Sequence, residues 1–271
     1  MEPDALHEHD HDHDHGLSQD LHHLTRRRWG LGLTSGLAAA AWAGWPGATA
    51  AAGPQTCPVT PDATAGPFPA NGQGWGRSSS INALTLAGVV RNDIRPGLGS
   101  ATAVAGGVPM TLALELVNTA RGCAPLQGLA VYVWQCDREG RYSMYSDGVR
   151  EQNYLRGVQA SDAQGQLSFT TVLPGCYAGR VPHIHFEIYR SVDAAAASRQ
   201  RIKTSQLALP LEFCDQAYAQ SPGYADSRRN LSRVNFANDG VFGDGIELQM
   251  ARISGTLAQG LTASLRVSIK A

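Results

Sequence analysis

A single β-sandwich domain with short helices and long loops is predicted for residues 53–271, and three observations predict it. Short runs rich in β-branched and apolar residues recur along that stretch. Clusters of Gly, Pro and Asp punctuate them, and only two short segments have a helical composition. Many short strands with turn signals at close spacing are the pattern of a sandwich rather than of alternating strand and helix.

In chain order, Leu84–Val90 is read as a strand and Asp93-Ile94-Arg95-Pro96-Gly97 as the turn after it. Strands are likewise expected at Met110–Val117 and Leu129–Trp134, then, beyond the turn Asp162-Ala163-Gln164-Gly165, at Leu167–Leu173. His183–Tyr189, Ile246–Ile253 and Ala263–Ile269 complete the set. Asp193–Gln200, with four consecutive alanines, and Leu211–Gln220 are the helical candidates.

The composition, 43% hydrophobic and 17% charged, excludes a disordered, collagenous or coiled-coil chain. Residues 1–50 hold 3 of the 22 basic residues, 7 of the 23 acidic ones and 7 of the 9 histidines. The remainder carries 19 basic against 16 acidic residues, about +3, with no basic run beyond Arg228-Arg229. That gives no electrostatic footprint for nucleic acid.

Residues 1–24 contain a tract alternating His with acid, His7 to His15, which cannot build a core. Residues 25–52 read as an export signal: Thr25-Arg26-Arg27-Arg28-Trp29, a weakly apolar stretch, then Ala48-Thr49-Ala50 as a cleavage site. The arginine pair resembles the twin-arginine signal, so the expectation is passage through that machinery to the periplasm or beyond, with no stable membrane insertion once the signal is removed. The five cysteines, Cys57, Cys123, Cys136, Cys176 and Cys214, allow two disulfides and one spare thiol, with the pairing open.

Two histidines remain after residue 50, and both lie in His183-Ile184-His185. In a strand His183, His185 and Glu187 share one face and Ile184, Phe186 and Ile188 the other, so the two imidazoles can share a metal. Further ligands must then be oxygen or sulfur. Tyr142 and Tyr177 are the candidates, each following a strand-like run and a turn, with Tyr145 a rival for the first. A phenol ionises near pH 10 unaided, so two phenolates call for a strong Lewis acid, and ferric iron suits hard oxygen donors.

Four motifs in order carry a resemblance: Thr60-Pro61-Asp62-Ala63-Thr64-Ala65-Gly66-Pro67-Phe68, Trp134 to Ser143, Tyr154 to Gln159 with Asp162, and Pro174 to His185, followed by Thr204-Ser205-Gln206-Leu207. Together they resemble the intradiol ring-cleavage dioxygenases, closest to the protocatechuate branch, over most of residues 57–210. The resemblance implies a transthyretin-like (prealbumin-like) sandwich and an Fe(3+) site with Tyr142 and His183 equatorial and Tyr177 and His185 axial. It implies a catechol-type substrate cleaved with O2 between its hydroxyl-bearing carbons to a cis,cis-muconate. Tyr177 is then the ligand that leaves and accepts a substrate proton, Arg180 stabilises charge developing on the ring, and Gln206 is a polar neighbour. Five residues separate Tyr177 from His183, a shorter excursion than in the family's cytoplasmic members, which should reshape the pocket rim. The oligomeric state does not carry over. The competing reading is an exported transthyretin-like protein that binds a catecholic or carbohydrate ligand without turnover; a metal-handling protein loaded by the His/Asp tract is a third.

Overall fold

The computed structural model describes residues 56–73, 80–242 and 246–271. The expectations for residues 1–24 and 25–52 therefore lie outside the described residues. Two sheets face each other across an aliphatic core. One is built on β1 (Pro109–Asn118), which pairs with β5 (Gln166–Val172) and the two-residue β2 (Ala124–Pro125) on one side. On its other side β1 runs parallel to β9 (Gly260–Ile269), and β8 (Arg252–Thr256) closes that sheet. The second sheet has the order β4 (Arg156–Ala160), β3 (Ala130–Trp134), β6 (His183–Tyr189) and β7 (Arg201–Ala208), all antiparallel.

Alternation sets the core. Met110, Leu112, Leu114 and Leu116 of β1 point inward with Leu261, Ala263, Leu265 and Val267 of β9. They meet Val131 and Val133 of β3 and Ile184, Phe186 and Ile188 of β6 in one buried cluster. The β3–β6 pair is unusual in being buried on both faces. Its outer face carries Tyr132, Trp134 and Tyr189, packed beneath Phe68, Leu84, Val89 and Tyr142. The segment Thr60–Phe68 forms part of that cover. It is fixed to β7 by the backbone bond from Ala63 N to Thr204 O, by Ser205 Oγ donating to Pro61 O, and by the buried Lys203 ammonium donating to Thr60 O and to Asp62.

The expected strands at Met110–Val117, Leu129–Trp134, Leu167–Leu173, His183–Tyr189 and Ala263–Ile269 form within a few residues of their predicted bounds. Leu84–Val90 does not: Asn82 caps a 3-10 turn at Ala83–Thr85 by accepting from Leu84 N, and only Val90 bridges the sheet, at Val158. Ile246–Ile253 is also split, into a 3-10 turn at Ile246–Leu248 and β8, because the Gln249 amide donates to Ser205 Oγ and Gln206 O and ties the chain to β7. The alanine-rich helix α1 spans Val192–Ala196, capped by Ser191. It stops short of Gln200, with Ser198 and Gln200 both at positive φ. Helix α2 falls at Leu211–Gln220 as expected, whereas α3 (Ala225–Leu231), β4 and β7 were not among the expected elements.

One disulfide forms, Cys57–Cys123, where the sequence allowed two. Cys136, Cys176 and Cys214 are buried free thiols held above the usual thiol range, chiefly by burial. Among the described residues no helix is long and apolar enough to cross a membrane.

Candidate metal centre

The N-terminal end of β6 places His183 and His185 on the outer, covered face of its sheet, at 2% and 1% exposure. Their Nε2 atoms lie 3.0 Å apart. His183 Nδ1 is 2.6 Å from Val181 O, so its proton belongs on Nδ1 and its Nε2 presents a lone pair. His185 Nδ1 is buried without a hydrogen-bond partner in the protein. Its ring is stacked on Trp134, with centroids 4.8 Å apart and planes 3° from parallel, which fixes its orientation.

Two loops bring in the tyrosines. After β3, Asp137 accepts from the Glu139 and Arg141 N–H groups and pairs with the Arg141 guanidinium, closing a turn that delivers Tyr142. Tyr142 Oη stands 3.4 Å from His183 Nε2. After β5, the run Pro174–Cys176 leads to Tyr177, whose ring is 5.6 Å from both Tyr142 and His183, centroid to centroid. The two loops touch at Gly140, in the left-handed region, where a Cβ would come within 3.3 Å of the Tyr177 Cα and Cβ. Ser227 of α3 ties them again: its hydroxyl donates to Arg138 O and accepts from Cys176 N, while Asn230 donates to Cys176 O.

Tyr145, the rival for the first position, is engaged elsewhere. Its hydroxyl accepts from Ala70 N, and its ring lies against Phe68 and under the Arg156 guanidinium. Arg180 comes back toward the histidines from the short turn Ala178-Gly179. Its Nε donates to both Asp239 oxygens and its Nη2 to Gln206 Oε1, 2.7 Å away, while Gln206 Nε2 donates to Thr64 O. The structure thus gathers Tyr142, Tyr177, His183, His185, Arg180 and Gln206 in one place. Asp239, buried and not singled out by sequence, anchors the group by accepting from Val181, Val241 and Phe242 N–H as well. Its signal is the turn-forming Asn238-Asp239-Gly240, which could not be told from any other surface turn.

Electrostatics keeps this cluster neutral. Burial lowers His183 to about 3, with the Arg180 charge adding to it, and holds His185 well below the usual imidazole range, with His183 as the next cause. Burial likewise raises both phenols, Tyr142 most. Burial opposes the Asp239 carboxylate, but the N–H donors and Arg180 outweigh it and hold the group below the ordinary carboxylate value. Two neutral imidazoles and two neutral phenols converging with their donor atoms inward suit a hard, highly charged cation, which alone would make the phenols ionise. Among the described residues no group of three or more His, Cys, Asp or Glu side chains is placed to hold a metal, so a site here needs the tyrosines. A groove of about 740 Å³ lies over the other sheet beside Glu115, Arg252 and Arg266 and holds none of these residues.

The family model described as Dioxygenase matches residues 99–185, a span that includes both tyrosines and both histidines. Among solved structures, an intradiol ring-cleavage dioxygenase from Tetranychus urticae is 23% identical with a TM-score of 0.59, covering 79% of this chain and 95% of its own. A second crystal structure of a dioxygenase is 25% identical with a TM-score of 0.57, covering 79% and 94%. These likenesses carry the fold. No curated protein sequence matches the chain.

Proposed function

From the premise that the chain belongs to the intradiol ring-cleavage dioxygenase family, we propose that it holds Fe(3+) on Tyr142, Tyr177, His183 and His185 and cleaves a catechol-type diol with O2. The observation that carries this reading is the convergence of the two Nε2 atoms, 3.0 Å apart, with Tyr142 Oη 3.4 Å from one of them, in a buried and neutral setting. Ferric iron bound there supplies the Lewis acidity that keeps the tyrosines as phenolates and makes a chelated diol electron-rich enough to react with O2.

The protein's own side chains divide the remaining work. Tyr177 is only partly buried whereas Tyr142 is fully so, which makes Tyr177 the phenol able to swing away and take a diol proton on Oη. Tyr142 and the histidines stay as the fixed frame, with Trp134 and the Val181 carbonyl holding the two rings. Arg180 directs its guanidinium toward the reacting ring and stabilises negative charge that develops there. Asp239 and Gln206 hold it in that pose. Phe68 packs on Tyr142 with ring centroids 4.7 Å apart and helps exclude water. Both oxygen atoms enter the product, a cis,cis-muconate, so the reaction needs no outside reductant.

We place the enzyme outside the cytoplasm. The Cys57–Cys123 bridge supports an oxidising compartment, in keeping with the export signal read in residues 25–52. The test is oxygen uptake by the iron-loaded chain with catechol and with protocatechuate, alongside product absorbance. One O2 consumed per muconate formed is the expected result; a diol that binds without oxygen uptake would leave only the binding-protein reading.

A further inference from the structure

Arg156 is the one arginine among the described residues that is fully buried, at 1% exposure. Its five hydrogen bonds all go to neutral oxygens: Nε to Ser143 Oγ, Nη2 to Ser143 O, and Nη1 to Phe68 O, Pro69 O and Tyr132 Oη. Arg141, Arg180 and Arg201 are paired with the carboxylates of Asp137, Asp239 and Glu187, whereas the partly buried Arg91 donates to the carbonyls of Arg156 and Pro96. Among the described residues Arg156 has no carboxylate partner. A charge withdrawn from water without a counter-charge costs several kcal/mol, and neutral acceptors offset only part of that.

The placement of the guanidinium indicates what balances it. Through the Ser143 hydroxyl and carbonyl it grips the residue next to Tyr142, and through Phe68 O it holds the ring packed 4.7 Å from that of Tyr142. We propose that Arg156 is a positioning residue whose uncompensated charge is the built-in counter-charge for the anionic ligand set, above all the Tyr142 phenolate. This rests on the iron site proposed above. A cation tied to the backbone that carries Tyr142 offsets the negative charge its phenolate takes on when ferric iron binds.

The proposal separates from a purely structural clamp by varying charge and hydrogen bonding independently. Arg156→Met, Arg156→Gln and Arg156→Lys are loaded with Fe(3+), and the affinity and the visible tyrosinate band are read against wild type. The Met and Gln variants, which lose the charge, should bind iron 10- to 100-fold more weakly, the range for an outer-shell partner. Their band should move to longer wavelength, because losing a cation on the phenolate side raises the electron that the transition promotes. Arg156→Lys, which keeps the charge but not the fork, should stay close to wild type in both. Gln keeps donors in a neutral side chain, so a Gln variant that folds and matches wild type overturns the proposal, as does a Lys variant that fails like Met. A wild-type chain that takes up no iron and shows no band overturns the iron site itself, and with it this inference.

Discussion

Glu187 and His185 sit two residues apart on one covered face of β6, both almost fully buried, and their surroundings treat them in opposite ways. Every acceptor site of Glu187 is met: Asn71 Nδ2 bonds both oxygens, and Tyr189 Oη, Arg201 Nη1 and Thr204 Oγ1 add their protons. Three segments are joined there, the one carrying Asn71, β6 and β7, and nothing is left to bind a ligand. At His183 and His185 the nitrogens face each other and two phenols, and one nitrogen has no protein partner. A buried polar group that is fully satisfied holds the fold, and a buried cluster in which nitrogen lone pairs and phenols converge on one another is the place to look for chemistry.

The sharpest way to break this contrast is His185→Ala. It should abolish iron retention, measured as metal content, while leaving the fold intact, because little but the stack on Trp134 depends on that ring. Next in size, Arg180→Ala should keep its iron but lose about 10²- to 10³-fold in turnover, as for other single charge-stabilising groups. Turnover equal to wild type would put Arg180 outside the reaction.

The contrasting end of the strand predicts the reverse. Glu187→Gln should bind iron normally yet lose about 2–3 kcal/mol of stability in urea unfolding, since an amide leaves donors of Asn71 and Tyr189 unmet. Loss of iron with unchanged stability would reverse the roles assigned to the two ends. Smallest of all, Tyr145→Phe should cost about 1 kcal/mol through the orphaned Ala70 N–H and leave the visible band unmoved. A vanished band would make Tyr145 the ligand in place of Tyr142.

The two faces of β6 were legible from the sequence because alternation in His183–Tyr189 is a local property of the strand, and so was the sandwich built on it. The tyrosines were found by ordered motifs. What holds them was not: Asp239 reaches Arg180 from 59 residues away, and Ser227 joins loops that precede it by 51 and 89 residues. Such contacts depend on the folded path and leave no periodic trace. Leu84–Val90 misled for a related reason, since apolar residues that lie as a cover on a sheet have the same composition as residues within one. Five cysteines also left room for two bridges, whereas Cys136, Cys176 and Cys214 are packed as small apolar side chains.

The central claim is that the convergent end of the β6 face holds ferric iron open to a diol. Its most direct test is the metal content and visible spectrum of the isolated chain, before and after adding catechol without oxygen. The account predicts about one iron per chain and a broad tyrosinate band that shifts when the diol binds. A colourless chain that takes up no ferric iron would contradict it.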